Sequence, residues 1–153
     1  MRRNPQQDHS DPDLLAGHDE IVRRFAAACT ARDTVGLRAM LAADAIAVSD
    51  GGGKVRAEAE PTHGAAAVAV HVRNLLGEPP HPVVRVASVN GRAGLLVAAE
   101  GQVAAVVSLS VAAAEVAAVW ITLNPDKLRA WQRRLPRPAP PGPPASPERR
   151  TNP

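Results

Sequence analysis

The apolar positions of the first third of the chain fall at helical spacing. Leu14, His18, Ile21, Val22, Phe25, Ala28 and Cys29 recur three and four residues apart, as one face of a helix does. Asp11-Pro12 supplies the start: an acceptor for free amides, then a residue whose fixed φ suits the first helical position. Asp33 can cap a second, shorter helix carrying Leu37, Met40 and Leu41. "AIAVS" (45–49) reads as a short strand. "KVRAEAE" (54–60) alternates, with Lys54, Arg56, Glu58 and Glu60 on one face and Val55, Ala57 and Ala59 on the other. "HGAAAVAVHVRNLL" (63–76) predicts a third helix, stopped by Gly77 and Pro79-Pro80.

Beyond residue 80 the period changes to that of strands. "PVVRVASV" (82–89) runs into Asn90-Gly91, a strong two-residue hairpin signal. "RAGLLVAA" (92–99) runs into Glu100-Gly101, a weaker one. "QVAAVVSLSV" (102–111) and "EVAAVWITL" (115–123) follow, and Pro125 opens a terminal helix reaching Trp131. Helices first and then four strands in order predict an α+β domain: a curved antiparallel sheet packed on about three helices, with a short C-terminal helix. Inner faces lined by alanine could leave a conical pocket. Residues 1–13 are expected to be a disordered N-terminal segment, 14–135 the domain, and 136–153 a disordered tail, since eight prolines in that last stretch exclude regular packing.

Composition narrows the function classes. The 153 residues suit one domain, and the core must come mostly from Ala and Val, because Phe25, Trp120 and Trp131 are the only aromatics. The net charge is +3, but residues 14–135 carry 13 Lys/Arg against 11 Asp/Glu, so the body is nearly balanced. Without tyrosine, platforms for stacked bases are scarce, and no direct nucleic-acid contact is expected. No apolar run reaches the ~18 residues of a membrane helix, and "MRRNPQQDHS" has no apolar signal region. With Cys29 as the single cysteine, the expectation is a cytoplasmic protein without internal disulfides, its thiol buried on the apolar face of the first helix.

"SDGGGKVRAE" (49–58) interrupts this Ala/Val-rich pattern. A phosphate-binding loop needs G-x-x-x-x-G-K-[ST] between a strand and a helix, so that helix amides face the phosphate. Here the first glycine is misplaced, Val55 replaces Ser or Thr, and a strand is predicted to follow. A hairpin tip accounts for one or two glycines at positive φ. It accounts neither for three in a row nor for the charges on both sides.

"VSDGGGKVRA" (48–57), "VNGRAGLLV" (89–97) and "NPDKLRAW" (124–131) together resemble the C-terminal domain of sigma-J-type extracytoplasmic-function sigma factors. That domain is a SnoaL-like extension with the nuclear-transport-factor-2-like (NTF2-like) cone fold. The resemblance covers roughly residues 14–131 and does not extend to the two sigma core domains. It implies a built-in, non-catalytic regulator that packs against the sigma core and modulates transcription initiation. Asp50, Gly51, Gly52, Gly53 and Lys54 match the glycine motif, thought to face the sigma core. Asn124, Pro125, Asp126, Lys127 and Leu128 match the second motif. Bare glycine backbone lets another chain approach closely, and the flanking charges can orient it. Asn124 with Pro125 suits a helix cap equally well. The implied partners are sigma core domains or polymerase-associated sigma, with a second copy of the chain or an apolar small molecule also compatible. Neither cofactor nor metal is implied.

The same fold houses polyketide cyclases and ketosteroid-isomerase-like enzymes, which need an acid/base group in an apolar pocket and a donor for the oxyanion. The meander offers only Arg85, Arg92, Glu100 and Glu115, with both glutamates at strand ends. Glu58 and Glu60 share their face with Lys54 and Arg56, as on a solvated edge. His63 and His71 lie eight apart on the predicted third helix, too far for an i, i+4 metal pair. His18 can point to the core or to the pocket mouth. No catalytic residue is assigned.

Overall fold

A computed structural model describes residues 12–51, 60–76 and 82–133. Four helices pack on a six-stranded sheet, in the chain order α1 (Pro12–Thr30), α2 (Thr34–Met40), β1 (Leu41–Asp50), β2 (Thr62–His63), α3 (Ala65–Leu75), β3 (Val83–Val89), β4 (Arg92–Ala99), β5 (Gln102–Ala112), β6 (Glu115–Thr122) and α4 (Pro125–Gln132). The sheet order is β2-β1-β6-β5-β4-β3.

The helices form where the apolar period predicts them. Val22, Phe25, Ala26 and Cys29 of α1 are buried, with Ile21 and Ala28 packed beside them. Asp33 caps α2 by accepting from the Gly36 amide at 2.9 Å. Leu37 is buried beneath it, but Leu41 leaves the helix and opens β1. The third helix starts later than predicted. His63 pairs with Ile46 as part of β2, and Gly64, at φ +95, turns the chain into α3. His63 and His71 therefore do not share a helix. The predicted strand 54–60 falls on residues 52–59 outside the described set, apart from exposed Glu60.

β3 to β6 form the expected antiparallel meander. The sheet is nonetheless mixed, because β1 lies parallel to β6, with Ile46 opposite Ala118 and Asp50 opposite Thr122. Register shifts at Leu41/Ile46, Val97/Ala98 and Ser110/Val111 interrupt the ladders, as bulges do. Residues of α1, α2 and α3 cover one sheet face and build the main core with Leu95, Val97, Val107, Leu109, Val119 and Ile121. On the opposite face Leu128 and Trp131 of α4 pack with Val89, Leu96, Val103 and Val106.

Both signalled hairpins take left-handed turns: Asn90 at φ 51 with Gly91 at φ 81, and Glu100 at φ 53 with Gly101 at φ 77. A third turn has no such chemistry. Ala113 and Ala114 sit at φ 52 and φ 62, where a β-carbon costs roughly 1–2 kcal/mol per residue. Ala114→Gly is therefore expected to raise stability by about 1 kcal/mol, read as a higher urea midpoint at unchanged m-value.

Candidate functional site

The two motifs meet at the end of the sheet where β1 and β6 run out side by side. β1 ends on Asp50, whose carbonyl accepts from the Leu123 amide at 2.7 Å just beyond β6. The chain then turns into α4. Asn124 is extended (φ −65, ψ 116), accepts from the Asp126 amide at 3.1 Å, and places Pro125 in the first turn. Leu128 closes that turn through its amide, 3.0 Å from the Asn124 carbonyl, and its side chain is buried against the sheet.

This turn aims Lys127 back at β1. Its Nζ lies 2.6 Å from Asp50 Oδ2, an ion pair between residues 77 apart in sequence. The partners' side chains are 62% and 43% exposed, so solvent screening holds the pair to roughly 0.2–1 kcal/mol. It joins the first turn of α4 to the end of β1. Gly51 is buried beside Asp50, and Gly52, Gly53 and Lys54 lie outside the described residues. Of the other sequence candidates, Asn124 spends its side chain on capping and Leu128 spends its own on the core. Asp50, Asp126 and Lys127 present charge at the surface.

Among the described residues, the interior between the helices and the sheet is tightly filled. Phe25, Val72, Leu95, Val107 and Ile121 converge on a residual space of about 10 Å³, enough for no more than one water. Every residue lining it is apolar. Cys29 belongs to this wall, and burial pushes its thiol up from 9.0 to about 12. Because the folded form holds its proton more tightly, the thiol's stabilising contribution is present below pH 9.0 and is lost as pH rises toward about 12. At neutral pH, iodoacetamide labelling of Cys29 is expected to follow the rate of unfolding and to accelerate in step with added urea.

His18 and His71 have structural partners. His18 is buried in α1, and the Ala93 carbonyl lies 3.0 Å from its Nε2, tying α1 to β4. His71 of α3 sits between two hydroxyls, with Ser49 Oγ 3.1 Å from Nε2 and Thr62 Oγ1 3.5 Å from Nδ1. Sequence spacing gave no sign of this cluster, because it exists only once α3 packs across β1 and β2. The cluster fastens α3 to β1 and β2. Glu60, Glu100 and Glu115 are exposed. Among the described residues, no group of three or more His, Cys, Asp or Glu could hold a metal ion, and no helix is long and apolar enough to cross a membrane.

No family profile and no curated protein matches the chain in sequence. Solved structures do match its shape. A SnoaL-like protein of unknown function from Burkholderia thailandensis is 15% identical with a TM-score of 0.53, the match covering 69% of this chain and 93% of that one. The chain has the SnoaL-like, NTF2-like fold. The extracytoplasmic function sigma factor SigJ of Mycobacterium tuberculosis is 23% identical with a TM-score of 0.57, over 80% of this chain but 46% of the longer sigma factor. A putative ketosteroid isomerase from Kribbella flavida is 16% identical with a TM-score of 0.52, over 71% of this chain and 78% of that one. The fold thus serves both a domain within a transcription factor and small-molecule proteins, and at these identities the likeness carries the fold alone.

Proposed function

We propose that this chain is a non-catalytic contact domain whose working surface is built on the sheet end where Asp50 and Gly51 meet Asn124–Leu128, together with the motif residues Gly52, Gly53 and Lys54 that follow in sequence. Its partner would be the core of an extracytoplasmic-function sigma factor, whose activity it would modulate. The observation that carries this reading is the Asp50–Lys127 ion pair, which brings the two motifs to one edge. The SigJ match supports it, because there too the fold occurs within a sigma factor. The lining of the space beside Phe25 also supports it, for among the described residues there it carries no acid, base or oxyanion donor. In a pull-down with sigma core domains, the wild-type chain should be recovered, while Gly52→Val and Lys54→Glu should be recovered at about a tenth of that level or less. Equal recovery of all three would remove the docking role.

A second reading is a small-molecule binder or a ketosteroid-isomerase-like enzyme. The breadth of structural matches favours it, since the Kribbella isomerase is covered across most of its length and SigJ across less than half. What weighs against a site between Phe25 and Ile121 is the volume there: about 10 Å³ lies far below the roughly 300 Å³ at which ligand pockets begin. Turnover of a ketosteroid that is lost with His18→Ala would establish this reading over the first.

A further inference from the structure

Among the described residues, a larger space lies on the other face of the sheet. Where α4 crosses the opposite sheet face, a groove of about 390 Å³ opens between the helix and the start of β5, within the range of small-molecule sites. Val103, Ala104, Leu123, Pro125 and Leu128 give it apolar walls, and Arg129 stands at its margin. Ala104 is exposed and contributes one methyl group, which is why space remains there.

The end of the groove is fixed. Gln132 accepts from the Val103 amide at 2.8 Å and donates to the Gly101 carbonyl at 3.0 Å, so its amide is committed to the strand. The Arg129 guanidinium is differently placed. It is 75% exposed, and its pair with Asp126 spans 3.5 Å. An exposed pair of that length is weak, and an incoming carboxylate competes with it readily. Arginine moreover offers a planar fork that fits a carboxylate with two parallel hydrogen bonds.

Topology selects the kind of occupant. β5 is paired on both sides, with β4 and with β6, so no backbone edge is open along the groove for an added peptide strand. What fits is a compact apolar body with one negative end. We infer that the α4–β5 groove binds a small amphipathic carboxylate, its tail against Val103, Leu123 and Leu128 and its carboxylate on Arg129. The inference does not depend on the docking reading, since it requires only the groove and the arginine.

Titration of the full chain with octanoate, octan-1-ol and octyltrimethylammonium, followed by amide NMR, tests it. Saturable octanoate shifts are expected at Val103, Ala104, Leu123 and Arg129, with the ammonium probe weaker by about two- to fivefold. Arg129→Glu should reverse that preference. Ala104→Phe should remove binding of all three probes by filling the groove, and the spectra themselves report whether each variant is folded. Octanoate shifts centred on Phe25, Val72 and Ile121 would place the ligand in the cone and overturn the inference. Absence of saturable shifts, or equal affinity for the carboxylate and ammonium probes, would overturn it as well. None of these outcomes involves a sigma factor, so failure here stays separate from failure of the docking role.

Discussion

Phe25→Ala should destabilise the domain by about 3–5 kcal/mol. Phe25 is fully buried, is the only phenylalanine, and fills the space that small neighbours leave open. Across from it stand Leu95 and Ile121, while Ala45 and Ala47 line the covered face of β1. Side chains of that size can neither collapse into the void nor rebuild its contacts, which puts the cost at the upper part of the usual range. The variant should also gain a property: an apolar cavity of that kind stays dry and takes up benzene or xenon. Urea unfolding measures the first effect, and xenon-induced NMR shifts at Cys29, Leu95 and Ile121 measure the second. A loss below about 1 kcal/mol would mean that the cone is not closed by this ring.

Gly94→Ala should be the second costly change, at about 1–3 kcal/mol from one added methyl group. A β-carbon there would stand 2.5 Å from Val89 Cγ2 and 2.8 Å from the Val107 carbonyl oxygen. Valine has little rotamer freedom with which to retreat, and the carbonyl belongs to the central ladder of the sheet. The double variant with Val89→Ala should recover part of the loss, because it clears the side chain and leaves the backbone contact in place. Thermal unfolding of the two variants against wild type gives both numbers. An unchanged midpoint for Gly94→Ala would mean that β3, β4 and β5 pack less closely than these distances require.

The elements that the sequence revealed are those encoded locally. Asn90-Gly91 and Glu100-Gly101 state their turns in their own residues, and the stripe from His18 to Cys29 states its face. The parallel β1–β6 pair was not legible, because no turn joins the two strands and the whole meander intervenes. β2 was hidden for a related reason: "HG" reads as the first turn of a helix until Ile46 arrives to pair with His63. The Ala113-Ala114 turn carries no signal because its residues are poor choices for its conformation.

The candidate site divides in the same way. The motif residues were picked out by resemblance, and the Asn124 cap with Pro125 by helix chemistry. The Asp50–Lys127 pair and the His71 cluster depend on tertiary packing, so periodicity could not supply them. The small space between Phe25, Val72, Leu95, Val107 and Ile121 depends likewise on how distant elements pack. Composition counts side chains, whereas volume depends on where the fold sends them.

Calorimetric titration of the chain into folded sigma core domains, wild type against Asp50→Lys, reads the contact edge most directly. The exposed ion pair contributes at most about 1 kcal/mol to stability, so the variant should stay folded. The account predicts saturable binding by wild type and affinity at least about tenfold lower for Asp50→Lys, with its unfolding midpoint shifted by only a few degrees. Wild-type heats indistinguishable from dilution, or equal affinity for the two chains, would contradict it.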